Sequence, residues 1–237
     1  MHTMTTQTSS GSPTSRLAVM ATGLRFRWPG QASELRFPDL VLAQGEHLFV
    51  RGPSGTGKST FLSLLAGMLL PTSGTLQVLG QRPDQKRASA RDRFRADHLG
   101  VIFQQFNLVP YLSAIGNVTL PCRLSKARLA RTQPSPEEAA EHLLSQLAIP
   151  QSHWHQSVQA LSIGQQQRVA AARALIGAPE LILADEPTSA LDTDNRDRFL
   201  DLLLGLAAER KSSVMFVSHD RALAGHFHHQ LALGGDL

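Results

Sequence analysis

The sequence predicts an α/β protein with a mainly parallel sheet, an antiparallel β subdomain near the N-terminus and an inserted α-helical subdomain. Short apolar runs alternate with amphipathic helical patterns, which is typical of a parallel sheet covered by helices on both faces. Residues 17–28 and 35–42 alternate apolar and polar side chains loosely, as short antiparallel strands do. Helix formers interrupted by five prolines predominate from 105 to 159, and they indicate a helical insertion.

The individual elements follow from the period of the apolar residues. Predicted core strands are the apolar runs at 47–50, 76–79, 100–103, 181–184 and 214–217. Predicted helices cover 59–70, 162–175 and 194–209, where apolar residues recur at helical spacing. We expect a single domain at 16–237, with the core and its β subdomain at about 16–104 and 160–237 and the helical subdomain at about 105–159. The Ser- and Thr-rich residues 1–15 are expected to be a disordered tail.

Composition limits the class of protein. Hydrophobic residues make up 42% and charged residues 18%, which fits a folded globular chain, and no apolar stretch is long enough to cross a bilayer. A lone cysteine, Cys122, fits a reducing compartment and favours the cytoplasm. The net charge of +4 comes from scattered basic residues, so we interpret it as a solvated surface and expect no nucleic-acid partner.

A glycine-rich motif follows the strand predicted at 47–50 and precedes the helix predicted at 59–70. It fits the phosphate-loop pattern G-x-x-x-x-G-K-[ST] in the strand–loop–helix context that this pattern requires. The glycines permit a tight loop whose backbone N–H groups point at phosphate oxygens. Lys58 would reach the β and γ phosphates, and the Ser59 hydroxyl would bind Mg²⁺. The motif consists of Gly52, Pro53, Ser54, Gly55, Thr56, Gly57, Lys58, Ser59 and Thr60.

Two carboxylates end the apolar strand predicted at 181–184. Ligands of open α/β folds bind at this edge of the sheet. We expect Asp185 to hold Mg²⁺ through a coordinated water, and Glu186 to orient or deprotonate the water that attacks the γ phosphate. The pair together with the phosphate loop predicts an ATPase that uses ATP and Mg²⁺.

From about residue 17 to its end, the chain resembles the ATPase subunits of ABC transporters, which have a phosphate-loop NTPase core of RecA type. Residues 161–169, Leu-Ser-Ile-Gly-Gln-Gln-Gln-Arg-Val, resemble the signature that opens a helix in this family. Residues 189–192, Ser-Ala-Leu-Asp, resemble its D-loop. The resemblance implies that Gln104 senses Mg²⁺ and the γ phosphate, and that His219 is the switch histidine that contacts the γ phosphate. It also implies that Trp28 stacks on adenine, although Phe26 could fill that role.

In this family two ATPase domains face each other head to tail. The resemblance therefore implies a homodimer in which the signature and D-loop of one copy, through Ser162, Gly164, Gln165 and Asp192, face the nucleotide held by Lys58 of the other. Hydrolysis would open the dimer and drive a conformational change in a partner. One position departs from the family pattern: Ile163 stands where the signature has its first glycine.

Residues 103–112 and 116–121 resemble most closely the lipoprotein-release, macrolide-export and cell-division group of these ATPases. We therefore expect a subunit that energises a separate integral membrane permease, attached peripherally to the cytoplasmic face of the inner membrane. Three alternatives stay open. They are the ATPase of an amino-acid importer, a soluble member that acts on DNA or ribosomes, and a phosphate-loop kinase, against which the signature argues.

Overall fold

The structure, a computed structural model, describes residues 16–189 and 191–234. The predicted tail at 1–15 and Ala190 of the D-loop lie outside these residues. The described strands are β1 (Leu17–Phe26), β2 (Leu35–Arg36), β3 (Leu40–Ala43), β4 (His47–Arg51), β5 (Ser73–Val78), β6 (Leu99–Ile102), β7 (Leu181–Asp185), β8 (Ser213–Val217) and β9 (His229–Ala232). The described α-helices are α1 (Lys58–Leu65), α2 (Ala88–His98), α3 (Ala114–Leu124), α4 (Lys126–Arg131), α5 (Pro136–Gln146), α6 (Ile163–Leu175) and α7 (Thr193–Glu209).

A five-stranded parallel sheet forms the centre of the molecule. Its strand order is β6-β7-β8-β4-β9. Strands β7 and β8 are apolar over almost their whole length because both of their faces are covered. The carboxyl ends of parallel strands lie at one edge, so the residues that follow β4, β7 and β8 come together there.

A second, antiparallel sheet is built around β1. Its partners are β2, β3 and β5. The single strand predicted at 35–42 is divided into β2 and β3, because Pro38 lacks an N–H and Asp39 turns away to accept a hydrogen bond from the Gly23 amide at 2.7 Å. The strand predicted at 76–79 is β5, which begins earlier and pairs with β1 instead of joining the parallel sheet.

The insertion contains the helices α3, α4 and α5. Serine side chains cap all three: Ser113 accepts from the Gly116 amide, Ser125 from the Arg128 amide and Ser135 from the Glu138 amide. Helix α1 ends at Leu65, earlier than predicted, because Gly67 takes a left-handed conformation with φ of 63°. Helix α2 was not predicted at all.

Two hydrophobic clusters fill the interior. One packs the helices α3, α5, α6 and α7 against one face of the parallel sheet, and Val118, Leu144 and Phe216 are among its buried members. The other lies on the opposite face, between α1 and the antiparallel sheet. Among the described residues, no helix combines the length and the apolar character needed to cross a membrane.

Candidate nucleotide-binding site

The loop at 52–57 joins β4 to α1 and depends on its glycines. Gly55 and Gly57 have φ of 83° and 91°, in the left-handed region. A Cβ at Gly57 would lie 2.9 Å from Leu35 Cδ1, and one at Gly52 would lie 2.6 Å from the Leu233 carbonyl oxygen. The loop is therefore tight enough to present its backbone N–H groups to an anion, as the N-terminus of α1 does.

Lys58 is the first residue of α1, and only 7% of it is exposed. Its Nζ donates to the carbonyl oxygens of Gly52 at 2.9 Å and Pro53 at 3.0 Å. It also lies 3.6 Å from Glu186 Oε1. These contacts hold one positive charge at the mouth of the loop, where an anionic group would meet it.

Asp185 ends β7, and its carboxyl interacts with the Ser59 side chain. Burial raises the pKa of the Asp185 carboxyl, and the negative charge of Glu186 raises it further, against the opposing effects of Ser59 and Lys58. A divalent cation beside Ser59 and Asp185 would offset both unfavourable effects. These two oxygen donors fit Mg²⁺, which prefers hydroxyl, carboxylate and water ligands.

Glu186 follows with an unusual backbone conformation for a glutamate, φ of 45°. Its amide donates to the Val217 carbonyl oxygen at 2.9 Å, which ties the residue to the end of β8. Its Oε2 lies 3.2 Å from His219 Nδ1, and its Oε1 faces Lys58. The carboxylate is therefore held between two predicted site residues, one at the start of α1 and one just after β8.

Lys58, Ser59 and Glu186 border a cavity of about 520 Å³. It is lined by Trp28, Gln31, Ser33, Leu35, Ser54, Gly55, Gly57, Lys58, Ser59, Thr60, Gln104 and Glu186. No sequence motif predicts Gln31, Ser33 and Leu35 as site residues, although they follow Trp28 closely in the chain. Gly52, Pro53 and His219 line an adjacent cavity of about 390 Å³.

The two candidate stacking residues, Phe26 and Trp28, differ in their exposure. Trp28 is 41% exposed and lines the cavity, whereas Phe26 is 5% exposed and belongs to the core beneath the antiparallel sheet. The two rings meet edge to face, with centroids 5.0 Å apart and an interplanar angle of 89°. Phe26 therefore packs against Trp28 from the core side, and the Trp28 ring stays accessible from the cavity.

The signature residues lie elsewhere on the molecule. Ser162 caps α6: its Oγ accepts from the Gln165 amide at 3.3 Å, while Gln165 Oε1 accepts from the Ser162 amide at 3.0 Å. Asp192 caps α7: its Oδ1 accepts from the Asn195 amide at 2.9 Å and its Oδ2 accepts from Asn195 Nδ2 at 2.8 Å. Together with Ile163 and Gly164, these residues line a separate cavity of about 500 Å³. Within one copy, the structure does not bring them to the phosphate loop.

A parallel sheet, a glycine loop between β4 and α1, and adjacent carboxylates after β7 define a phosphate-loop NTPase. The family model described as ABC transporter matches residues 35–189. The chain is 41% identical to the uncharacterized ABC transporter ATP-binding protein YbbA of Escherichia coli over 186 residues, which are 78% of this chain and 79% of the relative. The chain therefore belongs to the ABC transporter family.

Other relatives agree with this assignment. The chain is 38% identical to the lipoprotein-releasing system ATP-binding protein LolD 1 of Caulobacter vibrioides, with 82% of each chain covered. It is 39% identical to the macrolide export ATP-binding/permease protein MacB of Rhodopseudomonas palustris, covering 88% of this chain and 32% of that longer protein. A dimeric structure of the cassette MJ0796 in a post-hydrolysis state, bound to ADP and Pi, superposes with a TM-score of 0.79 and 32% identity, covering 91% of this chain and 94% of that one.

These findings confirm the predicted fold class, the predicted family and the likeness to the lipoprotein-release and macrolide-export group. The protein is an ATPase that uses ATP and Mg²⁺, as the sequence predicts. The roles of the individual residues remain predictions, and they enter the proposal below.

Proposed function

We propose that this chain is the ATPase subunit of a transporter of the export or lipoprotein-release type, that it acts as a homodimer, and that it drives a separate membrane permease from the cytoplasmic face of the inner membrane. One observation carries the proposal. The chain holds two half-sites in separate cavities: the phosphate loop with its carboxylates, and the signature with the D-loop. Each half supplies what the other lacks when two copies meet head to tail.

The signature half-site suits the opposite side of a bound triphosphate. The capping box uses the amides of Ser162 and Gln165, and the α6 N-terminus carries a partial positive charge. Ser162 and Ile163 are exposed, so they are available to a second copy. The dimeric assembly of MJ0796 supports the same arrangement for this chain.

In this proposal the chain's own groups divide the work. Mg²⁺, when bound, supplies charge neutralisation at the phosphate oxygens. Ser59, Asp185 and Gln104 would hold the metal, and Lys58 with the loop N–H groups would bind the phosphates. Glu186 orients the attacking water and accepts its proton, while His219 fixes the second carboxylate oxygen of Glu186 and faces the γ phosphate.

Trp28 is proposed to stack on the adenine ring. We expect Trp28→Ala to raise the dissociation constant for ATP about tenfold, since stacking of an aromatic side chain on a base contributes about 1–3 kcal/mol. Trp28→Phe keeps a stacking surface and is expected to stay near the wild-type value. Equilibrium titration with a fluorescent ATP analogue measures both, and an unchanged constant in Trp28→Ala would remove this residue from the site.

A groove next to the Gln104 loop is the proposed docking site for the permease. Apolar side chains from β6 and α3 line it, including Phe103 and the exposed Leu124, and its volume is about 370 Å³. Arg95, Arg128 and Arg173 also line the groove. Their guanidinium groups are already engaged, because Arg95 pairs with Asp92 and the other two donate to backbone carbonyl oxygens. The surface therefore fits an apolar segment of the partner. Phe103 lines the groove and Gln104, the next residue in the chain, lines the nucleotide cavity, so a shift of Phe103 on docking would move Gln104.

Recovery of the protein from detergent-solubilised membranes tests the partner. We expect the tagged wild type to retain a multi-span protein, and Leu124→Asp to lose it because a charge enters the apolar groove. Leu129→Asp is the matched control, since Leu129 is exposed on α4 but does not line the groove. Equal recovery by both variants would contradict the docking site. Recovery only with nucleic acid or ribosomes, in soluble fractions, would contradict the transporter assignment.

A further inference from the structure

A basic cleft lies beside the phosphate loop, at the carboxyl ends of β4, β8 and β9. We define it by Arg51, His219 and Arg221, which line the cavity of about 390 Å³ together with backbone from 52–53 and 232–234. Arg51 is half-buried and Arg221 is exposed. In the part of the chain that the structure describes, neither guanidinium has a hydrogen-bond or ion-pair partner. Within residues 16–189 and 191–234, the cleft therefore presents two positive charges that no carboxylate pairs with.

An exposed carboxylate lies beside the other half-site. Asp194 is the second residue of α7, two positions after Asp192, which lines the signature cavity. The neighbouring acids are already engaged: Asp192 accepts from Asn195, and Asp197 lies 3.4 Å from Arg196. Within the described ranges, the Asp194 side chain has no such partner. It is an exposed negative charge next to the half-site that the proposed dimer would bury.

The geometry points to an ion pair between Arg221 of one copy and Asp194 of a second copy, with Arg51 adding positive potential at the base of the cleft. This inference rests on the proposed head-to-tail dimer, in which the flank of the signature half-site meets the flank of the phosphate-loop half-site. Two-fold symmetry would form the pair twice. Each copy carries a net charge of +4, so two copies repel each other. A local pair of opposite charges across the interface would offset part of this repulsion.

This pair lies beside the nucleotide contacts, because Arg221 shares its cleft with His219, Gly52 and Pro53. Arg221 and Asp194 line neither the cavity of the phosphate loop nor that of the signature. The pair is therefore expected to set the affinity and registration of the two copies, and not the chemistry at Glu186. Its contribution should fall as the salt concentration rises, because exposed charges are screened.

Charge reversal tests the inference in the Glu186→Gln background, where association is read as molecular mass by sedimentation in Mg-ATP. We expect Arg221→Glu to raise the dimer dissociation constant at least about tenfold, and Asp194→Arg to do the same. The double variant, Arg221→Glu with Asp194→Arg, is expected to recover most of the lost affinity. Lys211→Glu is the matched control, because it makes the same change in net charge at the opposite end of β8.

The outcomes separate this inference from the proposed function. If Glu186→Gln alone stays monomeric in Mg-ATP, the proposed dimer is wrong. If it dimerises but Arg221→Glu behaves like Lys211→Glu, the dimer stands and the ion pair is overturned. If Arg221→Glu weakens the dimer and Asp194→Arg does not restore it, the cleft binds another anion, such as the nucleotide, and the assignment of Asp194 is overturned.

Discussion

Lys58→Ala is expected to lower ATP hydrolysis at least about a hundredfold, the loss typical when one electrostatic contact to a reacting group is removed. The ammonium group is the cation that the structure holds at the mouth of the phosphate loop, between two loop carbonyl groups and Glu186. Without it, the developing charge on the phosphate oxygens loses its direct counter-charge, and Glu186 loses the cation that keeps its Oε1 in place.

Steady-state phosphate release measures this loss. Lys211→Ala is the matched control, because it removes an exposed lysine far from the loop and should leave the rate unchanged. Lys58→Arg tests whether the positive charge alone is sufficient. The planar guanidinium cannot take the position of the ammonium group between the carbonyl oxygens of Gly52 and Pro53, so we also expect a large loss of hydrolysis. Similar melting temperatures would show that all three variants fold, and wild-type hydrolysis in Lys58→Ala would refute the assignment of this loop.

The centre of the fold was predictable because its strands are apolar on both faces. Runs such as 181–184 and 214–217 have few interpretations besides buried strands, and the glycine motif fixes the turn between β4 and α1. Helix α2 gave no such signal. It carries charged side chains on most of its surface and buries only Phe94, so its sequence resembles a solvated loop.

Strand β9 was missed for a related reason. Among the described strands, β9 pairs with β4 alone at the edge of the sheet, and it exposes most of its residues, so no apolar run marks it. The histidines around it showed no metal-ligand spacing in the sequence, and the structure pairs two of them with carboxylates: His226 with Asp201 at 3.0 Å and His229 with Glu46 at 3.3 Å. Side-chain partners this distant in sequence follow from the tertiary fold alone.

The candidate site was also predictable only in part. Its motif residues were identified because each motif has fixed spacing, but the geometry between motifs was not available from spacing. The left-handed backbone of Glu186 is accompanied by a hydrogen bond to Val217 on the next strand, and its two oxygens face Lys58 at the start of α1 and His219 just after β8. Likewise, Gln31 and Ser33 enter the cavity only because the chain after Trp28 folds over the phosphate loop.

Glu186→Gln is expected to lower hydrolysis about a thousandfold, within the range for removal of a general base. The amide has nearly the shape of the carboxylate and can still hydrogen-bond to His219, but it cannot accept the proton of the attacking water. It also removes the negative charge that faces Lys58 at 3.6 Å, so a bound anion meets less repulsion. Binding of ATP should therefore persist while its cleavage stops.

This separation of binding from cleavage predicts a change of mass. If triphosphate joins the phosphate-loop half-site of one copy to the signature half-site of the other, a variant that cannot cleave it accumulates as a dimer at ATP concentrations above the dissociation constant. Sedimentation in Mg-ATP should show the dimer for Glu186→Gln and a mainly monomeric protein in Mg-ADP. Glu209→Gln, an exposed change at the far end of α7, should behave as wild type. A Glu186→Gln protein that binds ATP tightly yet stays monomeric would mean that the two half-sites never share a nucleotide.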